Sequence, residues 1–210
     1  AMYGVAYSVD KTLQLFDLTH EIPQYNIWEA SYRLIQTVVY WPEGSVFVSV
    51  VDPGVGSNRK SIGVKTAKGQ YIITPDNGTL THIKRMCGIV EAREIDETIN
   101  RLPNSGASYT FHGRDIYAYT GARLAAGVID FEQVGPEIPV EDIVELPVVE
   151  STKNNDMVTG IIDVLDVRFG SLWTNIGREL FTSLGIKYGD RVEVAIKNDT
   201  REVYRNIMVY

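Results

Sequence analysis

Apolar residues recur every three or four positions through "IWEASYRLIQTVVYW", Ile27 to Trp41, and the run stops at "PEG". That spacing predicts an amphipathic helix ended by a turn. "SVFVSVV", 45–51, has the opposite character: β-branched and aromatic residues with almost no polar interruption, the pattern of a strand covered on both faces. "SIGVKT" (61–66) and "YIIT" (71–74) read as two further strands, the second followed by the turn residues "PDNG". "LQLFDLT", 13–19, also reads as a strand, and "MYGVAYSV", 2–9, as helical. The helical period returns in "RDIYAYTGARLAAG", with Gly127 as its C-terminal cap. Strands alternating with helices predict an α/β fold with a mostly parallel sheet flanked by helices.

The pattern changes at "ELPVVESTKNNDM", 145–157, a polar, proline-bearing stretch that reads as an interdomain link. Beyond it, "VTGIIDVLD", "RVEVAIKN" and "REVYRNIMVY" predict strands, and "NIGRELFTSLGI" is the one helical candidate. We therefore expect an N-terminal α/β domain over 1–148 and a smaller C-terminal β-rich, barrel-like domain over 149–210.

The 210 residues are 44% hydrophobic and 22% charged, the balance of a globular chain. A formal charge of −7 supplies no basic stripe and argues against a nucleic-acid partner. The longest apolar runs are too short to cross a bilayer and no signal peptide is visible, so a cytoplasmic protein without a membrane partner is expected. Cys87 is the one cysteine, which excludes an internal disulfide, and His20, His82 and His112 have no metal-ligand spacing.

Open α/β sheets place ligands beyond the carboxyl ends of their strands. Three glycine-bearing loops qualify: Asp52-Pro53-Gly54, Pro75-Asp76-Asn77-Gly78, and Phe111-His112-Gly113-Arg114-Asp115. Each has a plainer reading. Asp52 could cap its own turn, Arg59 could be a solvated charge, "PDNG" could be only a turn, and His112 could be structural, ahead of a helix N-capped by Asp115. Three such loops on one sheet favour a ligand site. "GVGSNRKS" is not a phosphate loop, because Arg59 stands where that pattern needs glycine and a strand follows. No Gly-x-Ser-x-Gly elbow is present. In the C-terminal region "DVLDVRFGSLWTN" crowds Asp166, Phe169, Trp173 and Asn175 around a glycine, as either a holder for a flat base or an interdomain packing cluster.

Taken together, "VVDPGVGSNR", "ITPDNG", "TFHGRDIYA" and "RFGSLWTN", with "FDLTHEIPQYNIWEA" upstream, resemble the S-adenosyl-L-methionine (SAM) hydrolase family. These are also called hydroxide adenosyltransferases and are relatives of the SAM-dependent fluorinase and chlorinase. The resemblance implies hydrolysis of SAM to adenosine and L-methionine, without metal or added cofactor, in a homotrimer with sites between subunits. It places the family's Asp–Arg–His set on Asp52, Arg59 and His112, with Asp52 orienting water, Arg59 stabilising developing hydroxide and His112 accepting the proton. The halogenases carry tyrosine in place of Asp52 and tyrosine-serine in place of His112-Gly113. The resemblance also implies substrate contacts. Tyr25 would lie beside the ribose or sulfonium, and Asp76 and Asn77 would come from "PDNG". Phe169 and Trp173 would cover the adenine, with Asp166 on the methionine ammonium. Ser171, where the family commonly has asparagine, would meet the adenine edge. The family's opening "TDFG" strand and its last segment have no counterpart here, so both domains are expected to be incomplete. A non-catalytic SAM- or adenosine-binding module is the alternative reading, and halide transfer is less favoured.

Overall fold

The computed structural model describes residues 1–210, and the chain separates into two compact units, Ala1–Pro147 and Val148–Tyr210. The first unit holds a four-stranded sheet in the order β1 (Val46–Val48), β3 (Tyr71–Pro75), β2 (Ser61–Thr66), β4 (Ile89–Glu94). β1 and β3 are parallel, with Phe47 opposite Ile72, whereas β2 runs antiparallel to both β3 and β4. The sheet is therefore mixed rather than mostly parallel. Only Ala67–Gln70 separate β2 from β3, with Gly69 at φ +79° making the turn, and a parallel crossover needs a dozen residues or more.

Both faces of this sheet are covered. Leu34, Ile35 and Val38 of helix α2 (Ile27–Val38) pack with Phe47, Ile62, Val64 and Ile72 on one face. On the other, Ile73 meets Ile116, Tyr117, Phe131 and Val134. Ile72 and Ile73 thus point to opposite sides, as the two-residue strand period requires. Full burial of each such aliphatic side chain contributes about 1.5–3 kcal/mol, so the stability of this unit is concentrated here. α2 starts at Asn26, whose Oδ1 accepts from Glu29 N at 2.9 Å.

A π-helical turn, Gly113–Ala118, leads directly into α3 (Tyr119–Ala125). α3 lies close over β1: a Cβ on Gly121 would sit 2.7 Å from Val48 Cγ2. The helix ends at Ala126, followed by Gly127 at φ +65°. Val128 N there donates to Arg123 O (2.9 Å) and Gly127 N to Leu124 O (3.1 Å), the paired bonds of a Schellman motif. Helix α1 (Met2–Val9) packs against α3 and the π turn.

Several expectations need correcting. "LQLFDLT" forms no strand; residues 11–26 have no regular structure, and Phe16 rests against Trp41 (ring centroids 5.4 Å apart) instead of pairing with a neighbour. "SVFVSVV" yields only Val46–Val48, since the chain beyond Ser49 turns out of the sheet toward its loop. β4 has no clear strand pattern in the sequence, because "IVEARE" mixes charge into an edge strand where side chains reach water. Asp115 is not an N-cap: helical backbone already begins at His112, and Asp115 lies buried inside the turn, paired with Arg114.

The second unit consists of three separate antiparallel ribbons and a short helix. The pairs are β5 (Thr152–Asn154) with β6 (Met157–Thr159), β7 (Ile162–Asp166) with β8 (Ser171–Thr174), and β9 (Arg191–Lys197) with β10 (Glu202–Val209). The helix, α4, spans Arg178–Thr182. No closed barrel forms, contrary to the barrel-like expectation, because the ribbons are not hydrogen-bonded to one another. Val164 and Asp166 are the only buried residues of this unit. No helix of the chain is long and apolar enough to cross a membrane.

Candidate active site

Ser61, the first residue of β2, pairs with Pro75, the last of β3, and β3 runs parallel to β1. Three chain segments therefore meet at one end of the sheet: the loop after β1, the approach to β2, and the loop after β3. Asp52 stands in the first and Arg59 in the second. The guanidinium grips the carboxylate along one side, with Arg59 Nε 2.9 Å from Asp52 Oδ1 and 3.0 Å from Oδ2, and Nη2 2.5 Å from Oδ2. The two side chains are 9% and 7% exposed, so this is a buried pair and not a solvated surface charge. The loop between them closes on glycine: a Cβ on Gly54 would lie 3.3 Å from Ser57 Oγ and 3.4 Å from Arg59 Cγ.

His112 completes the group. Its Nδ1 is 2.9 Å from Arg59 Nη2. A guanidinium only donates, so Nδ1 must accept, and the neutral ring carries its proton on Nε2. Nε2 is buried and has no hydrogen-bond partner within the chain. Burial lowers the imidazole pKa below its ordinary value, and the Arg59 charge lowers it further. The position of His112 depends on Gly113, whose absent Cβ would lie 3.0 Å from Val50 Cγ1 at the end of the β1 segment.

Residues 1–135 match the family model of the SAM hydroxide adenosyltransferase N-terminal domain. The chain belongs to that family. Among curated relatives, a (R)-S-adenosyl-L-methionine hydrolase of Methanocaldococcus jannaschii is 34% identical over 90% of this chain and 63% of its own length. A Thermus thermophilus protein of the same name is 37% identical over 62% of this chain and 52% of its length, and a fluorinase of Actinopolyspora mzabensis is 26% identical over 92% and 71%. This chain thus spans somewhat over half the length of the hydrolases it matches. An uncharacterized conserved protein from Thermotoga maritima superimposes with a TM-score of 0.85 at 34% identity, covering 97% of this chain and 74% of that one.

The remaining residues expected from the hydroxide adenosyltransferase resemblance fall into two groups. Asn77 ties the loops together: its Nδ2 donates to Val51 O (3.0 Å), while its Oδ1 accepts from Thr79 N and Oγ1 (3.1 and 2.6 Å). Asp76 is buried and accepts from Val144 N at 2.9 Å; burial raises its pKa, partly offset by that bond. Tyr25 is 64% exposed at φ +67°, just ahead of α2. Asp166, Phe169, Ser171 and Trp173 all lie in the second unit, on or between β7 and β8. Asp166 is buried and pairs across the ribbon with Ser171, and Phe169 is 83% exposed. Two residues of the first site were not anticipated. Ser61 Oγ accepts from Arg59 Nη1 at 3.0 Å and lies 3.2 Å from the hydroxyl of Tyr117, whose side chain is fully buried. A serine opening a strand and a tyrosine within a helix carry no distinctive pattern; only the Arg59 position, two residues before Ser61, could have flagged the first.

Proposed function

We propose that this chain hydrolyses SAM to adenosine and L-methionine through a water activated by Asp52, Arg59 and His112. The observation that carries the reading is the buried contact of Arg59 with both Asp52 and His112, in a family whose curated members include SAM hydrolases. In the proposed step a water oxygen forms a bond to ribose C5′, the C5′–S bond breaks, and its electron pair stays on sulfur as a neutral thioether. The water proton passes to a base. Positive sulfonium and developing hydroxide annihilate one another's charge, so a dry site favours the reaction.

The division of roles differs from the expectation that His112 takes the proton. With Nδ1 occupied by Arg59 and Nε2 already protonated, a neutral His112 can only donate. Asp52 Oδ1, which accepts a single bond from Arg59, keeps acceptor capacity and is the proposed base. His112 Nε2–H then orients the water oxygen, and Arg59 supplies fixed positive charge beside the forming hydroxide. Tyr25, Asp76, Asn77, Asp166, Phe169, Ser171 and Trp173 remain the proposed substrate contacts, with Ser171 the one that departs from the family pattern. No cofactor or metal enters the scheme, and a cytoplasmic homotrimer is part of the same reading.

Incubation with SAM in ¹⁸O-water tests it: adenosine and methionine should appear in equal amounts, with the label in the 5′-hydroxyl. Tight SAM binding without products would select the non-catalytic alternative. Fluorinases among the relatives justify one further arm, in which a 5′-halogenated nucleoside formed in chloride or fluoride would overturn the hydrolase reading.

A further inference from the structure

The π-helical turn places two side chains where an α-helix could not. His112 and Tyr117 are five residues apart. At 3.6 residues per turn, they would face about 140° away from each other. The i→i+5 register of a π turn instead brings such residues toward one side, and π segments are frequent at functional sites. Here the two rings stand edge to face, 6.4 Å between centroids, and Arg59 lies against both. It contacts His112 through Nη2, and its guanidinium carbon lies 5.7 Å from the Tyr117 ring centroid. The third nitrogen, Nη1, reaches Ser61, which in turn meets the Tyr117 hydroxyl. All three guanidinium nitrogens are thus assigned: one edge to Asp52, one corner to His112, one to the Ser61–Tyr117 pair.

We propose that Ser61 and Tyr117 are positioning residues for the reaction, fixing the Arg59 fork so that one guanidinium holds Asp52 and His112 at the same time. The chemistry of this role rests on the hydrolase reading; its geometry does not. Asp52 holds the Nε–Nη2 edge and His112 shares Nη2, so these two partners leave Nη1 unheld and the plane free to rock about that edge. The bond to Ser61 supplies the third point that stops it. Tyr117 cannot drift, being fully buried in the cluster of Ile73, Ile116, Phe131 and Val134. Burial also holds its phenol pKa above the ordinary range, so the hydroxyl stays protonated. A pivoting fork would release His112 Nδ1, and the imidazole would no longer be confined to one tautomer.

The test uses Tyr117→Phe, Ser61→Ala and the double variant, each of which keeps the packing volume nearly intact. Turnover of SAM should fall by roughly tenfold to a hundredfold in each single variant, as expected for small misplacements of reacting groups, with KM little changed. The double variant should be no worse than Ser61→Ala, because both act through one chain of contacts. Independently of turnover, ¹⁵N shifts of His112, assigned by their loss in His112→Asn, should report a single Nε2–H tautomer in the wild type and a mixture in the variants. Wild-type tautomer signals and kcat retained in both single variants would overturn the proposal. A wild type that releases no adenosine would instead defeat the hydrolase reading, and the tautomer measurement would still decide this one.

Discussion

Arg59 divides one planar group among Asp52, His112 and Ser61, a task lysine cannot perform with a single ammonium. Arg59→Lys should therefore lower turnover by roughly 10²- to 10³-fold, as for loss of a fixed charge-stabilising donor, measured as adenosine released per site. Arg59→Ala should additionally destabilise the fold by about 3–5 kcal/mol, read from urea denaturation, because it leaves the Asp52 carboxylate buried without its partner. His112 gives a pH dependence. Its folded pKa lies below the ordinary 6.5, so the unfolded chain binds more protons just below that value. The stability it contributes is complete above pH 6.5 and is lost as pH falls through the folded pKa. Arg59, Asp52, Glu97 and Arg101 are the charges that bear on it, and burial with Arg59 outweighs the acids. His82, buried against Ser31 and near Arg85, shifts the same way, so His112→Asn should flatten only part of the acid-side slope seen in denaturation between pH 7 and 5.

Among the elements, α3 is held to β1 by the absence of a side chain at Gly121. Gly121→Ala would force a methyl to 2.7 Å from Val48 Cγ2 and should cost about 1–3 kcal/mol, with a matching drop in thermal midpoint. Such contacts mark the limit of what the chain's pattern reveals. α2, β2, β3 and β9 were legible because period and turn chemistry agreed there, and the Asp52 and His112 loops because glycine adjoins ionisable groups. β4 was not, since an edge strand shows little alternation. Strand direction lies in the length of "AKGQ", whose four residues dictate an antiparallel hairpin, a constraint that the alternation of helices and strands does not show. The π turn was invisible: "HGRDIYA" has no feature separating it from the α3 sequence that continues it, and only backbone hydrogen bonding reveals that His112 and Tyr117 share a side.

For the whole molecule, the contrast between the two units has a measurable outcome. The first unit buries Ile62, Val64, Ile72 and Ile73 completely, while the second buries only Val164 and Asp166. Amide hydrogen exchange should therefore be slowest in β2 and β3 and far faster in β9 and β10, whose residues alternate between partly and fully exposed or are exposed throughout. Comparable protection in both units would contradict this distribution of stability. The same measurement with SAM added would locate where a ligand tightens the chain, since residues 162–174 carry four of the proposed substrate contacts.

Tyr25 carries a consequence of its own. A bulky aromatic residue in left-handed backbone, at φ +67° and mostly facing water, is a conformation that packing does not repay. Asparagine tolerates that backbone far better, so Tyr25→Asn should yield a chain harder to melt, by up to about 1 kcal/mol, yet one that holds its substrate less well. Selection for thermal robustness alone would then be expected to discard this ring, and its persistence in any catalytically selected population would measure how much the ligand depends on it.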